Sequence, residues 1–518
     1  MLWGGYELLH VMKKIIFFGA ILAPFLVFSQ QLNTRQLNRL TELHWQKGLD
    51  LLQEIVAVPN DAAIASDLAA TERLMTEAFT SRGFELERLE TDGVPLLLAT
   101  YVPKKRFSGS TLLLYFHADG QAVDPSRWFQ NDPYEIVLKQ RSESLDWETL
   151  DIDLLSSSYD PNWRLFGRST SDAKGPIVMF LTAFDALVAQ NKLTSNRIKV
   201  VIDLEEEQGS PSLPEAVARY KEKLMADAML IFDGPRHVSN RPTLTYGARG
   251  IASITLKTFG PRLPQHSGHY GNYAPNPALA LSQLLASMKD PEGRVLIEGY
   301  YDNIVLSDYD KEQLAKIPDD EVALRKRLGF SKADEVAGTY QESLQYPSLN
   351  IRGLQSAYVG ASARTIVPAI ATAEIDVRLV PESEPYRLMQ LIKSHIENQG
   401  FTVLDHEPSD EERQQFDRIV QLSSKVSYAA FRTDMNSPIG EWLRSQMNRA
   451  GFEDLVQLRL MGGSIPISPF VEALGIDAVI IPTVNADNNQ HSPNENIRLE
   501  NFREGITTML SLLSAQGL

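Results

Sequence analysis

Four short apolar runs set the strongest limit on what this chain can fold into. They occupy residues 111–116, 197–204, 228–232 and 477–482. Runs of this length that lack polar alternation are typical of strands buried on both faces of a parallel sheet. Amphipathic stretches such as 177–190 and 213–225 separate them and have the pattern of helices. The alternation predicts an α/β fold built on a mostly parallel sheet.

A second pattern occupies residues 247–408. Its predicted order is strand, helix, strand, strand, helix, strand, at residues 252–259, 277–288, 348–354, 371–379, 386–399 and 401–405. This order is that of a ferredoxin-like β-α-β-β-α-β module, with a charged insertion at about 298–346. The pattern therefore predicts that residues 247–408 form a separate domain inserted into the α/β domain. Residues 30–246 and 409–518 would form the two parts of the catalytic domain.

Composition and charge narrow the function classes. Hydrophobic residues make up 43% of the 518-residue chain and charged residues 22%, as in a soluble globular protein. The formal net charge of −16 and the absence of a basic stripe argue against a nucleic-acid partner. The chain has no cysteine. Disulfides, thiolate ligands and a cysteine nucleophile are therefore excluded, and a metal site must use His, Asp and Glu.

The N-terminus has the pattern of a targeting segment. Lys13 and Lys14 precede an apolar run at residues 15–28, which is short for a membrane span and typical of a signal-peptide core. We expect residues 1–29 to be a signal peptide, with Met12 an alternative start to Met1. The protein is then exported, either to the periplasm or to the outside, without a stable membrane span after cleavage. An uncleaved membrane anchor is the alternative.

The polar residues that follow the four apolar runs are those that bind metals. In chain order they are His117 with Asp119, Glu206 with Glu207, Asp233, and, after a polar loop, His491. The carboxyl ends of parallel strands meet at one edge of a sheet, which is where ligands bind in such folds. A glycine-bounded turn at 167–175 adds Asp172 just before a helix. Together these residues predict a metal site at this edge.

Each of these elements alone also has an ordinary structural explanation. His117 could be a hydrogen-bonded histidine at a strand end. The acidic run at 205–207 could be a solvated face. Asp172 and Asp233 could belong to turns. The metal site is favoured because all of these residues occur together at the predicted strand ends.

Three motifs resemble a known family. They are HADGQAVDPSRWFQNDPYE at 117–135, SLNIRGLQSAYVGASARTIVP at 348–368 and GGSIP at 462–466. The chain resembles, from about Trp45 to its C-terminus, the dinuclear zinc metallopeptidases that include aminoacylase, succinyl-diaminopimelate desuccinylase, glutamate carboxypeptidase and carnosine dipeptidase. The resemblance is closest to the dipeptidase branch. It implies that the inserted module is a lid or dimerisation domain and that the protein is a homodimer.

The resemblance also implies a role for each candidate residue. One metal would be bound by His117 and Asp233, the other by Glu207 and His491. Asp172 would bridge the two ions, and the peptide bond after it is cis in relatives. Asp119 would orient His117, as metal-bound histidines usually require. Glu206 would be the general base.

The chemistry of this set is consistent with those roles. Two zinc ions carry four positive charges, and the carboxylates of Asp172, Asp233 and Glu207 carry three negative ones. A bridging hydroxide would make the site neutral. Paired metals lower the pKa of bound water from about 15.7 towards about 7. Glu206 would take the water's proton and transfer it to the leaving amine. Zinc is the expected ion, although manganese or cobalt also suits His and carboxylate ligands.

The resemblance places the substrate-binding residues mainly in the inserted module. These residues are His266, Thr365, Arg378, Gly463 and Ser464. The planar guanidinium of Arg378 suits a carboxylate, although an ordinary surface arginine is the alternative. His266 would reach the partner subunit's site. One departure stands out, since relatives usually carry Arg-Glu where this chain has Leu460-Met461.

These expectations lead to one function and two alternatives. We expect a metal-dependent hydrolase that cleaves dipeptides or short peptides with a free carboxylate end. An N-acyl amino-acid deacylase of the aminoacylase or desuccinylase type remains open because of Leu460-Met461. An inactive peptide-binding homologue is the third reading, and the presence of Glu206 and of all five ligand positions argues against it.

Overall fold

The computed structural model describes residues 31–103, 109–194 and 196–518. The predicted signal peptide at 1–29 and both candidate start residues lie outside these ranges. In the part of the chain that is described, no helix is long and apolar enough to cross a membrane.

The described ranges contain β-strands and α-helices throughout. The strands are β1 Glu85–Leu89, β2 Leu96–Tyr101, β3 Thr111–His117, β4 Val137–Arg141, β5 Trp147–Thr149, β6 Arg164–Phe166, β7 Arg197–Asp203, β8 Ala228–Ile231, β9 Thr243–Thr245, β10 Gly247–Ala248, β11 Gly250–Phe259, β12 Gln265–His266, β13 Asn350–Ser356, β14 Ile366–Val367, β15 Ile370–Leu379, β16 Thr402–Leu404, β17 Ile419–Tyr428, β18 Phe431–Arg432, β19 Val456–Leu458, β20 Ala478–Ile480 and β21 Asn496–Arg498. The helices are α1 Thr34–Val56, α2 Ala65–Thr80, α3 Lys174–Ala189, α4 Leu213–Arg219, α5 Lys221–Leu224, α6 Ser267–Tyr270, α7 Pro277–Met288, α8 Asp308–Ala315, α9 Glu321–Leu328, α10 Tyr340–Ser343, α11 Pro385–Asn398, α12 Asp410–Gln415, α13 Pro438–Ala450, α14 Ser468–Leu474 and α15 Leu499–Ser514.

The largest sheet has eight strands in the order β1-β2-β7-β3-β8-β20-β9-β19. Its centre consists of β7, β3, β8 and β20, and each of these strands is parallel to its neighbour. These are the four apolar runs of the sequence, so the prediction of a mostly parallel central sheet is confirmed.

The alternation of side chains along β3 shows why both faces of this sheet are buried. Leu112, Leu114 and Phe116 belong to the core beneath α1, α3 and α15, where Phe116 stacks on Phe232 at 5.0 Å between ring centroids. Leu113 and Tyr115 point to the opposite face and belong to the core under α4 and α14. Because successive side chains of a strand alternate between faces, a run without polar residues fills two cores at once.

The second sheet has five strands in the order β13-β15-β11-β17-β16. Its strands β11, β13, β15 and β16, with α7 and α11, correspond to the predicted β-α-β-β-α-β unit. The unpredicted strand β17 pairs with both β11 and β16. The sheet therefore extends to Tyr428, and the predicted boundary at residue 408 is too early. The sequence does not predict β17 because the half of this strand from Ser423 onward is mainly exposed and polar.

Two chain segments run next to each other between the two sheets. They pair as the short antiparallel strands β10 and β18, in which Gly247 lies opposite Arg432. A Cβ at Gly247 would lie 2.4 Å from the carbonyl oxygen of Phe431, so only glycine fits there.

A smaller sheet, absent from the sequence prediction, has the order β21-β6-β4-β5. The pairing of Asn496 with Phe166 brings the loop before β21 next to the turn after β6. That pairing places two predicted ligand segments, around residues 172 and 491, beside each other.

Candidate metal centre

The five predicted ligands converge at the carboxyl edge of the large sheet. His117 ends β3, Glu207 lies in the turn after β7, and Asp233 follows β8. His491 lies in the loop between β20 and β21. The potential ligand atoms form two groups, each within 4.8 Å, and the groups are His117, Asp172, Asp233 and Asp172, Glu207, His491.

Asp172 is common to both groups. Its Oδ1 lies 3.0 Å from Nε2 of His117, and its Oδ2 lies 3.1 Å from Nε2 of His491. Each carboxylate oxygen therefore faces a different histidine, which is the geometry of a bridging ligand. The Asp172-Ala173 peptide bond is cis, as the resemblance implied.

Asp119 connects the end of β3 to the turn after β7. Its Oδ1 lies 3.3 Å from Nδ1 of His117. The same carboxylate accepts the backbone N–H groups of Glu206 and Glu207, at 3.1 and 3.0 Å. One side chain thus orients a candidate ligand histidine and fixes the turn that carries the candidate base.

Burial and neighbouring charges shift the pKa values of these groups. Burial raises the pKa of Glu206 well above its ordinary value, and the carboxylates of Asp233 and Asp172 add to the shift. His491 forms hydrogen bonds with Asp172 and Glu207 that raise its pKa to about 10.

The fully buried imidazole of His117 has opposing influences. Burial disfavours its charged form, but hydrogen bonds with the carboxylates of Asp119, Asp172 and Asp233 outweigh burial and raise its pKa well above the usual range. The site is therefore strongly electronegative and attracts cations.

The residues present fit two divalent ions. Oδ2 of Asp172 is buried and faces Nε2 of His491 at 3.1 Å, and Nε2 of His117 lies 3.6 Å from Oδ1 of Asp233. Three carboxylates and two imidazoles form a ligand set that zinc, manganese or cobalt accepts. His117 and Asp233 would hold one ion, Glu207 and His491 the other, and Asp172 both.

Two of the predicted substrate residues meet between the sheets. Nη1 of Arg378, on β15, donates to the hydroxyl of Ser464 at 2.8 Å. The carbonyl oxygen of Gly463, in the same turn, accepts the backbone N–H of Arg249 at 3.1 Å. The second sheet and the turn before α14 are thus in direct contact where a substrate carboxylate was expected.

His266 and Thr365 lie together but apart from the two ligand groups. His266 ends β12, and Thr365 immediately precedes β14, the strand that pairs with β12. The N–H of Ser267 donates to the carbonyl of Thr365 at 3.0 Å. Both side chains are exposed.

Sequence reasoning missed three residues of the site. Nε2 of Gln121 donates to Oε2 of Glu207 at 2.8 Å, and the hydroxyl of Tyr428 donates to the carbonyl of Gly209 at 3.0 Å. The third is Glu495, whose buried carboxylate accepts the N–H of Asp172 at 2.9 Å. Gln121 lies inside the quoted 117–135 motif, which was the one signal available. Glu495 lies four residues after His491, in a polar segment that gives no sign of burial.

The profile of peptidase family M20/M25/M40 matches residues 146–515. The chain belongs to this family. Its fold and its site residues can therefore be compared with those of characterised M20 peptidases.

The most similar proteins include dipeptidases. The Cys-Gly metallodipeptidase DUG1 of Saccharomyces cerevisiae is 24% identical over 497 residues, which cover 89% of this chain and 92% of the relative. The Beta-Ala-His dipeptidase of Mus musculus is 24% identical, covering 90% and 92%. Among solved structures, the M20 family metallo-carboxypeptidase Sso-CP2 of Sulfolobus solfataricus is 26% identical with a TM-score of 0.72, covering 90% of this chain and 98% of that one. The resemblance to the dipeptidase branch is confirmed.

Proposed function

We propose that this M20 peptidase is a metal-dependent dipeptidase that hydrolyses the amide bond of dipeptides or short peptides with a free carboxylate end. The observation that carries the proposal is Asp172, shared between two groups of potential metal ligands beside the buried Glu206. The dipeptidase relatives, which match along most of their length, support the same substrate class.

The ions would supply Lewis acidity and a bound water of lowered pKa. We propose zinc, with manganese or cobalt as alternatives, because the ligands are His and carboxylates without a thiolate.

Glu206 would hold and transfer the proton. Its raised pKa suits a group that accepts a proton from the attacking water and returns it to the leaving amine nitrogen. The backbone hydrogen bond from Glu206 to Asp119 keeps this base beside the ligand Glu207.

Arg378 and the turn at Gly463 and Ser464 would hold the substrate's carboxylate. A guanidinium can donate two parallel hydrogen bonds to a carboxylate, and Arg378 has no ion pair among the described residues. Such a grip requires a chain end, so a dipeptidase or carboxypeptidase is favoured over an endopeptidase.

We further propose a homodimer formed through the second sheet. Its edge strand β13 is largely exposed, and Leu354 on it is 58% exposed. An unpaired strand edge with apolar side chains is suited to pairing with a second copy. His266 and Thr365, exposed and outside the two ligand groups, would then complete the partner subunit's site.

Export is also part of this proposal. It rests on the basic pair Lys13-Lys14 and the apolar run at 15–28. Fractionation of producing cells, with N-terminal sequencing of the mature protein, tests it.

A deacylase of N-acyl amino acids is the second candidate. The side chain of Met461 lies over the substrate turn, since its Cε is 3.1 Å from where a Cβ of Gly463 would be. The apolar pair Leu460-Met461, where relatives usually carry Arg-Glu, lacks the charges that could bind a free amine, so an uncharged acyl group is favoured.

Parallel substrate panels test both candidates. The metal-depleted protein is reconstituted with zinc or manganese, and hydrolysis of unmodified dipeptides is compared with hydrolysis of the same dipeptides and amino acids in N-acetylated form. Metal-restored cleavage of unmodified dipeptides supports the dipeptidase. Cleavage confined to the N-acetylated panel would replace it with the deacylase.

A further inference from the structure

Glu495 is a buried acid outside the predicted ligand set. Its residue exposure is 0%, and it lies in the loop that carries His491. Burying a carboxylate is costly unless hydrogen bonds and an opposite charge compensate for it. The contacts of Glu495 therefore indicate what the molecule gains from this burial.

Both carboxylate oxygens of Glu495 are fully used by one neighbouring loop. Oε1 accepts the backbone N–H groups of Ser171 and Asp172, both at 2.9 Å. Oε2 accepts the N–H of Ser169 at 2.9 Å and Nη1 of Arg168 at 2.8 Å. Four donors from residues 168–172 thus converge on a single side chain.

This carboxylate joins two ligand segments that the sheet itself does not hold. His117 is the last residue of β3 and pairs with Asp203 of β7, and Asp233 follows two residues after the end of β8. Asp172 and His491, in contrast, lie on loops. The Glu495 contacts fix the first loop against the second, and Asp172 and His491 meet at 3.1 Å in the result.

Stability alone is a weak explanation for such a pair. A buried arginine–carboxylate pair is often no more stabilising than apolar residues of the same volume. Here three of the four donors are backbone groups of the loop that carries the bridging ligand. The geometry of that loop is therefore what the pair determines.

We propose that Glu495 is a positioning residue that sets Asp172 and His491 at the separation needed to bind the second metal ion. The inference rests on the proposed metal centre, since it assigns to Glu495 the assembly of the ion site that Glu207 and His491 would form. It predicts that this site loses affinity for metal when Glu495 is altered, while the site of His117 and Asp233 retains its ion.

The test is Glu495→Gln, measured by metal content and affinity. A carboxamide has only one acceptor oxygen, so one pair of donors loses its partner whichever way the amide is turned. We expect zinc content after dialysis at controlled free zinc to fall from two ions to about one per chain. We also expect the weaker ion to bind about 10–100-fold less tightly, as for other residues that support metal ligands. Visible spectra of the cobalt-loaded protein should show the loss of one of two sites.

Two further variants serve as references. His491→Ala removes a ligand of the same ion directly and should give the same one-ion species and cobalt spectrum as Glu495→Gln. Glu382→Gln disrupts a partly buried arginine–carboxylate pair, with Arg432 at 2.7 Å, in which neither residue belongs to a ligand loop. This variant should retain two ions.

A gentler variant keeps the test decisive if Glu495→Gln does not fold. Arg168→Lys preserves the charge but cannot donate to Glu495 and to the carbonyl of Ser492 as the guanidinium does. It should weaken the second ion several-fold. Two ions bound with unchanged affinity in these variants, accompanied only by a lower melting temperature, would overturn the inference. Because these readouts do not use a peptide, a protein that binds two ions but cleaves no dipeptide would contradict the proposed function alone.

Discussion

The two main sheets of this molecule contribute residues of different character to the site. The strand ends of the large sheet place His117, Glu207 and Asp233 at one edge, where two loops add Asp172 and His491, and His117 there is completely buried. The second sheet contributes Arg378, whose guanidinium donates a hydrogen bond to the hydroxyl of Ser464. The exposed His266 lies in β12, which pairs with β14 in a separate two-stranded sheet, and the exposed Thr365 immediately precedes β14. The comparison indicates that the candidate metal ligands and the candidate base come together within one chain, while substrate binding needs contacts beyond those of Arg378.

The largest expected effect is that of Glu206→Gln, which tests the large-sheet side of the comparison. The variant removes proton transfer but none of the ligands, so we expect kcat to fall by about 10³-fold or more. Zinc content should remain two per chain. Steady-state kinetics with a dipeptide and elemental analysis check both statements. A variant that keeps most of its activity would remove Glu206 from its assigned role.

Arg378→Met tests the second sheet. Loss of a charged hydrogen-bonding partner costs about 1.5–3 kcal/mol, so kcat/KM for dipeptides should fall about 10–100-fold while metal content stays unchanged. The discrimination between a dipeptide and its C-terminal amide should disappear as well. Arg387→Met is the matched control, because Arg387 lies on helix α11 of the same module, is partly exposed and pairs with Asp302 at 2.8 Å. Persistent discrimination against the amide would show that another group binds the carboxylate.

Asp119→Asn tests whether metal binding depends on the hydrogen bonds by which Asp119 orients His117 and the turn of Glu206 and Glu207. The amide cannot accept both backbone N–H groups and also receive a proton from His117. We therefore expect zinc affinity to fall about 10-fold or somewhat more. Titration with a zinc-buffering chelator measures the change. Unchanged affinity would mean that the ends of the strands alone orient His117.

The pH dependence of metal uptake follows from the histidines. In the metal-free protein the pKa of His491 is raised to about 10, and that of His117 is also raised. The imidazole of His491 is then protonated at pH 7, and the ion that it would hold must displace this proton. Zinc affinity for that site should rise about tenfold per pH unit from pH 6 to beyond pH 8. Calorimetry in buffers of different ionisation enthalpy should detect the proton released.

The same pKa shifts make the folding stability of the metal-free protein fall as the pH rises, whereas zinc affinity increases. A histidine whose pKa is raised on folding stabilises the native state fully below its unfolded value, about 6.5. This contribution is lost as the pH rises through about 10 for His491. Urea unfolding of the chelated protein should therefore show stability that declines with alkaline pH. An increase over that range would contradict the ion pairs of His491.

The smallest effect is expected for Tyr428→Phe, which affects the contact between the two sheets. The Tyr428 hydroxyl bonds to the carbonyl of Gly209, in the turn after Glu206 and Glu207. Removing one such hydrogen bond costs about 1 kcal/mol, so kcat should fall only a few-fold. Tyr386→Phe, on helix α11 of the inserted module, is a control because Tyr386 is 74% exposed. An effect as large as that of Arg378→Met would mean that the second sheet also determines the chemistry.

The sequence predicted the elements whose residues have one uniform environment. The four central strands are apolar throughout because both of their faces are buried, and their ends led directly to His117 and Asp233. The strand β17 was missed since only its first half is buried. Glu495 was missed for a different reason, because its burial depends on backbone N–H groups of residues 169–172, which have no sequence signature. The order of residues along the chain also gives no sign of the contact between Tyr428 and Gly209.

The most direct test of the central claim is a crystal structure of the zinc-loaded protein with anomalous diffraction at the zinc edge. The account predicts two peaks per chain, about 3.5–4 Å apart, with one carboxylate oxygen of Asp172 on each. His117 and Asp233 should complete one site, and Glu207 and His491 the other. A single peak, or two peaks that do not share Asp172, would contradict the dinuclear centre from which the proposed function is argued.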